Sequence, residues 1–226
     1  MKKTLTTLLV ASLAWAAAAL DKTELDSQAN KLLARFQTLQ SKTDKRVPPE
    51  VMARCRGIIL LDRTKAGFIF AYQGGRGVAL VKDKHGKWGP MGWVKADEAS
   101  LGFQIGGQQS FFAILLMNDE SAKTLIADAA FQFGGEASGT GGNQSKGVEG
   151  KIDSIERSVM VYDDRFGLYG GAAVKGGAIS ADYDANRIYY GDRLNLQEIL
   201  FEKKVKATPA ATTLAAKFDE AAKPPK

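Results

Sequence analysis

The residues with chemistry to offer are few. One histidine, His85, and one cysteine, Cys55, occur among 226 residues. A single histidine excludes a His-based metal cluster and most acid–base pairs. His85 precedes Gly86 in a predicted turn, where a solvated imidazole is the ordinary role. Ser-His-Asp catalysis has no Gly-x-Ser-x-Gly elbow to start from. The glycine-rich stretch Gly139 to Gly147 lacks the Gly-Lys-Ser/Thr that follows four spacers in a phosphate loop, and Gly102 to Gly107 has the wrong spacing for a dinucleotide fingerprint. Asp182, Asp184 and Asn186 copy the start of a calcium loop. The next position should be Gly and the twelfth an acid, but Arg187 and Arg193 stand there and would repel the ion. Polar positions of a hairpin turn explain this run better. Asp163 and Asp164 before Arg165 likewise read as solvated turn carboxylates rather than an acid–base dyad. The arginines flanking Cys55 would lower its thiol pKa. No partner base accompanies it, so a buried small side chain at the entrance to a strand is the expected role. No catalytic set, metal site or cofactor is expected.

What remains is a surface. From Lys42 to Lys95, 12 Lys and Arg stand against 4 Asp and Glu, a net +8 in a chain whose total is +6. Such asymmetry suits a face that meets an anionic partner. The candidates are Arg54, Arg56, Arg63, Lys65, Arg76, Lys82, Lys84 and Lys87, placed on predicted turns and strand ends. Aromatic residues interleave with them: Phe68, Phe70, Trp88 and Trp93. Lysine and arginine meet headgroup phosphates of an anionic bilayer, and Trp favours the interface. Trp88 or Trp93 could equally fill the core. Nucleic acid would fit the charge, but an exported protein rarely meets it, so no nucleic-acid partner is expected.

Export is read from the first twenty residues. Lys2 and Lys3 precede an apolar stretch from Leu5 to Leu13, and Ala16 to Ala19 supply the small residues a signal peptidase reads. The apolar stretch is too short for a membrane span of about 20 residues. Cleavage is expected near Ala19 or Leu20, giving a periplasmic or secreted protein of about 206 residues. That length supports a core without a disulfide or metal staple.

Beyond the leader, Leu25, Ala29, Leu32, Leu33, Phe36 and Leu39 recur at helical spacing within residues 21–46, a stripe expected to dock on the remainder. A short helix is expected from Pro49 to about Arg54. All 24 glycines fall between Gly57 and Gly191, marking a β-rich centre of turns and close strand packing. Expected strands are Ile58 to Leu61, Phe68 to Tyr72, Val78 to Val81, one carrying Trp88 and Trp93, Phe111 to Met117, Val159 to Tyr162, Leu168 to Val174, Ala178 to Tyr183 and Arg187 to Tyr190. Expected turns are Asp62 to Lys65, Gly74 to Gly77 and Asp83 to Gly86. Asp119 to Ala130 reads as the one internal helix, and Gly134 to Gly150 as a small-residue loop. Asn195 caps a predicted helix to Phe201. Residues 203–226 read as an Ala/Lys-rich weak helix and frayed tail. The fold class is α+β: an antiparallel meander or barrel-like sheet with flanking N- and C-terminal helices.

Several segments carry a family likeness over residues 47–202: Val47-Pro48 before Arg56-Gly57-Ile58-Ile59, Gly67-Phe68 leading to Gly75-x-Gly77-Val78, Gly86-Lys87-Trp88-Gly89-Pro90, and Gly102-Phe103-Gln104-Ile105-Gly106-Gly107. Tyr162, Phe166 to Gly171 and Tyr189-Tyr190-Gly191 continue it. In their order and spacing the chain resembles the SYLF family, a lipid-binding domain of bacterial envelope proteins and eukaryotic membrane-traffic and actin-patch proteins. The resemblance implies binding to phospholipids, phosphoinositides in eukaryotic members, and no catalytic residues. Gly89 stands where Ser is usual after the Trp, and Gly139-Thr140-Gly141-Gly142 replaces a Gly-Pro segment, so lipid preference here is open. The expectation is an exported protein that associates with anionic phospholipid membranes. The alternative is a structural or protein-interaction factor of the cell envelope.

Overall fold

Ten residues of continuous strand, Gly57–Ala66 (β1), run through the middle of the molecule. In the computed structural model, residues 20–66, 72–96, 110–123, 131–133, 158–163, 167–168 and 177–224 are described. β1 pairs antiparallel with Tyr72–Val81 (β2) from Gly57↔Val81 to Ala66↔Tyr72, and on its other side with Ser110–Leu116 (β4). Gly92–Ala96 (β3) extends the sheet beyond β2, followed by Gly177–Ala181 (β8) and, at that edge, Phe131–Phe133 (β5). Val159–Asp163 (β6) and Gly167–Leu168 (β7) extend it beyond β4. The eight strands therefore run β5-β8-β3-β2-β1-β4-β6-β7, all pairs antiparallel. The α+β class holds. Only β1 to β3 form a meander, and among the described residues the sheet stays open, with β5 and β7 at its edges.

Alternation of side chains along the strands divides the core into two layers. Ile58, Leu60, Val78, Leu80, Trp93, Phe111, Ala113 and Leu115 face one side. There they meet helices Lys22–Gln40 (α1), Pro49–Arg54 (α2), Tyr183–Tyr190 (α4) and Pro209–Ala221 (α5). Ile59, Leu61, Ala79, Val81, Val94, Phe112, Ile114 and Leu116 face the other, under Leu196, Ile199 and Leu200 and beside Ala122 of the short helix Asp119–Lys123 (α3). β4 is thus covered on both faces, as its unbroken apolar run predicts. α1 buries the six residues of the predicted stripe, and Asp21 caps it by accepting from the Glu24 amide at 2.8 Å. No described helix is long and apolar enough to cross a membrane.

Several local expectations are corrected. Asp62 to Lys65 do not turn; they continue β1, opposite Arg76 to Gln73. Gly74 to Gly77 are not a reversing loop but strand residues of β2. A Cβ on Gly77 would lie 2.2 Å from the Leu60 carbonyl oxygen, so glycine here answers close strand approach. Arg187 to Tyr190 are helical. Asp182 accepts from the Ala185 amide, Gly191 closes α4 at φ 74°, and Ala185, Asn186 and Tyr189 make its buried face. The polar run 182–186 is therefore a helix start rather than a hairpin turn. Asp163 is not a solvated turn residue; it is 1% exposed, in β6. The segment after Asn195 winds as a π-helical turn, Gln197–Phe201, entered through a reciprocal pair in which Asn195 and Glu198 each accept from the other's amide. The expected frayed tail contains α5, whose Ala211, Leu214 and Phe218 are buried. The leader, Phe68 and Phe70, residues 124–130 of the predicted internal helix, the 134–150 loop and residues 169–174 of the predicted strand lie outside the described residues.

Candidate functional site

The β1–β2 register places the candidate cations at two ends of the sheet. Arg56 precedes Gly57 and Lys82 follows Val81, so these two, with Arg54 at the end of α2, share one end. The turn carrying Lys84 and Lys87 projects from it. Arg63, Lys65 and Arg76 belong to the other end, where Arg63 pairs with Gly75, Lys65 with Gln73, and Arg76 with both Asp62 and Lys95. The Lys82↔Trp88 bridge lies six residues along β2 from Arg76, about 20 Å at strand rise. The ten residues read together in the sequence are not one site.

Asp83 organises the first end. Its Oδ1 accepts from the amides of His85 and Lys87, both at 2.9 Å, and its backbone exchanges bonds with Gly86 and Lys87. Gly86 takes the left-handed φ of 76° that this tight reversal needs. Oδ2 accepts from Lys203 at 2.7 Å. That ammonium contact, with the two amides, holds the Asp83 carboxyl well below the usual carboxylate range. Lys203 is the one described non-glycine residue with positive φ, 53°, and follows the π-helical turn. Thus a residue 120 positions away pins the turn that displays Lys84, His85 and Lys87.

Around this turn the cations divide into engaged and free. Arg56 donates to Asp119 at 2.7 Å and to the Asp83 carbonyl at 3.3 Å. Lys82 donates to the carbonyls of Met52 and Ala53 at the end of α2, where a cation offsets the helix dipole. Its Nζ lies 4.7 Å from the Trp88 ring centroid. Arg54, Lys84 and Lys87 are exposed and have no ion-pair partner among the described residues. These three are the charge this end can offer.

The two tryptophans part company. Trp88 is half-buried, donates Nε1–H to Asp219 at 3.0 Å, and packs edge-on against Phe218, so it ties α5 to the turn. Trp93 is fully buried in β3, 5.6 Å from the Tyr189 ring, and belongs to the core. Cys55 is also fully buried, and its thiol lies 3.2 Å from the Met52 carbonyl. Burial pushes it up to about 11, and nearby Lys82 and Arg56 only partly oppose that, so the flanking arginines do not make a reactive thiolate.

At the second end, buried Asp62 accepts Lys31 of α1 at 2.8 Å, with Arg35 in charge contact at 3.5 Å. Arg76 donates to the Asp182 cap at 2.8 Å. Lys95 is exposed. The side chains of Arg63 and Lys65 lie outside the description. Sequence reasoning missed Lys203, Asp119 and Asp219 as members of the first end. All three arrive through long-range packing, with no local signal.

A family model described as "Ysc84: Las17-binding protein actin regulator" matches residues 97–221, more than half of the chain. Among curated relatives, "SH3 domain-containing YSC84-like protein 1" of Xenopus laevis is 29% identical over 188 residues, 81% of this chain and 56% of its own length. "Protein YSC84" of Saccharomyces cerevisiae is 29% identical over 76% of this chain and 37% of its own length. "LAS seventeen-binding protein 3" of the same yeast is 28% identical over 83% of this chain and 42% of its own. The chain thus spans about half, or less, of the length of these relatives.

Proposed function

The chain belongs to the Ysc84 (SYLF) family, and on that premise we propose a binding module that associates with anionic phospholipid membranes through the first end of its sheet. The observation that carries this is the display of Arg54, Lys84 and Lys87, exposed and free of acidic partners among the described residues, on a turn held by Asp83 and Lys203. Each basic residue near an anionic leaflet contributes about 1 kcal/mol, so three give weak, salt-sensitive attachment. Trp88 supports the turn rather than entering the bilayer, since its ring makes a T-shaped contact with Phe218 and its N–H is engaged. Binding is therefore electrostatic. The full chain is expected to co-sediment with vesicles of equimolar phosphatidylglycerol and phosphatidylcholine, not with phosphatidylcholine alone, and to be released as salt rises past the point where the Debye length falls to about 8 Å. Attachment that ignores salt, or none, would refute it.

A second reading, a protein-interaction role, is favoured by relatives named as LAS seventeen-binding proteins. It predicts a stoichiometric protein partner on cross-linking and no preference for anionic vesicles. We further propose export. The pattern of Lys2, Lys3, the Leu5 to Leu13 stretch and Ala16 to Ala19 supports it, and Asp21, which caps α1, lies just past the expected cut. N-terminal sequencing of the protein from an envelope fraction should begin at or next to Leu20 or Asp21. A chain that retains Met1 there would overturn this.

A further inference from the structure

We propose that the domain is bivalent, with a second anion-binding end that lets one molecule bridge two anionic bilayers. This rests on the membrane reading above and extends it to the opposite end of the sheet. The charges of β1 and β2 are segregated. Gly57 to Leu61 and Gly77 to Val81 pair through five rows without a charged residue, and cations resume on both sides of this apolar band. On the far side, Asp62, Arg76 and Lys95 form one cross-strand row, so their side chains share a face.

The acids and cations of that row occupy different depths. Asp62 is 8% and Asp182 5% exposed, each beneath a cation: Lys31 over Asp62, and Arg76 over Asp182. Lys31 keeps 51% of its side chain in solvent and Arg76 keeps 35%, while Lys95 is exposed without an ion-pair partner among the described residues. An approaching surface therefore meets the cations first. Among the described residues, the exposed acid beside Tyr183 is Asp184, offset by Arg187 at 3.5 Å. Tyr183, 63% exposed, is the one large apolar side chain left bare among the described residues and follows Asp182 directly. A basic row beside an exposed tyrosine matches what an anionic headgroup layer accepts. Arg76 lies six residues along β2 from Lys82, about 20 Å away, so the two ends present separate surfaces and one bilayer does not engage both.

Bridging has a signature that single-ended binding lacks. The full chain, titrated into vesicles of equimolar phosphatidylglycerol and phosphatidylcholine at low salt, is expected to raise the particle size by dynamic light scattering. The size should then fall again at excess protein, when every vesicle is coated and no free surface remains to bridge. The double variant Lys31→Ser/Lys95→Ser removes the two most exposed cations of this face, leaving Arg35 beside Asp62, and should weaken the second end about thirtyfold. It should still co-sediment through the first end while no longer clustering vesicles. Lys95→Ser alone, which removes an exposed charge without a described partner, should reduce clustering in part and provides the readout if the double variant fails to fold. Co-sedimentation of the wild type without clustering at any ratio would overturn the proposal, as would clustering by folded variants equal to the wild type's. Loss of co-sedimentation by the wild type would instead refute the membrane reading itself.

Discussion

Gly77→Ala is expected to lower stability by about 3 kcal/mol, at the upper end of overpacking costs. For a chain of this size that is a fall in Tm of about 6 to 12 °C. The reason is the register Leu61↔Gly77, which brings β1 so close that an added Cβ would stand 2.2 Å from the Leu60 carbonyl oxygen and 3.1 Å from the Leu61 Cα. Both obstacles are backbone, so relief requires the two central strands to part. Gly86→Ala makes the contrast. Nothing lies within 4 Å of its Cβ position, and only the left-handed φ of 76° opposes the change, a cost of about 1 kcal/mol. Thermal unfolding of the two variants decides the matter. Equal losses would mean that close approach is not what selects glycine at position 77.

Asn186→Ala should cost about 2 to 3 kcal/mol, because it leaves a buried backbone donor without a partner. β3 pairs with β8 only from Val94↔Ala181 onward. At Asp182 the chain leaves the sheet to begin α4, so the edge of Trp93 loses its strand neighbour. Asn186 takes that place. Its Oδ1 accepts from the Trp93 amide at 2.8 Å and its Nδ2 donates to the Trp93 carbonyl at 2.9 Å, in a site only 1% exposed. The Asp182 amide also donates to that carbonyl at 3.0 Å, so the amide of Trp93 is the group left stranded. Asn195→Ala, which removes an exposed cap, should cost about 1 kcal/mol. Urea midpoints that fall equally for both variants would contradict this account of Asn186.

The first helix and the most buried strand were legible because their signals are local. The stripe from Leu25 to Leu39 and the run Phe111 to Leu116 each carry the periodicity of their element, and Asp83 to Gly86 carry a turn's chemistry. The glycines of β2 were misread because glycine has two meanings, left-handed turns and close strand approach, and only the register separates them. Residues 187–190 were misread for another reason. Ile188, Tyr189 and Tyr190 are strand formers by propensity, but Asp182 at the start and Gly191 at the end are helix caps, and tertiary packing of Tyr189 settles the contest. The candidate site was visible as a composition and not as a place. Which cations share an end depends on the pairing of Gly57 with Val81, and which remain free depends on Asp119, Asp83 and Lys203, distant in sequence from the residues they engage.

The central claim is that the turn end meets an anionic bilayer by charge. Its most direct measurement is co-sedimentation of Arg54→Glu/Lys84→Glu/Lys87→Glu with vesicles of equimolar phosphatidylglycerol and phosphatidylcholine, beside the wild type at the same low salt. None of the three side chains has an ion-pair partner among the described residues, so the variant should keep the wild-type Tm. The account predicts that it binds more than about a hundredfold more weakly, from about 1 kcal/mol for each cation removed. A folded variant that sediments with these vesicles as well as the wild type would contradict it.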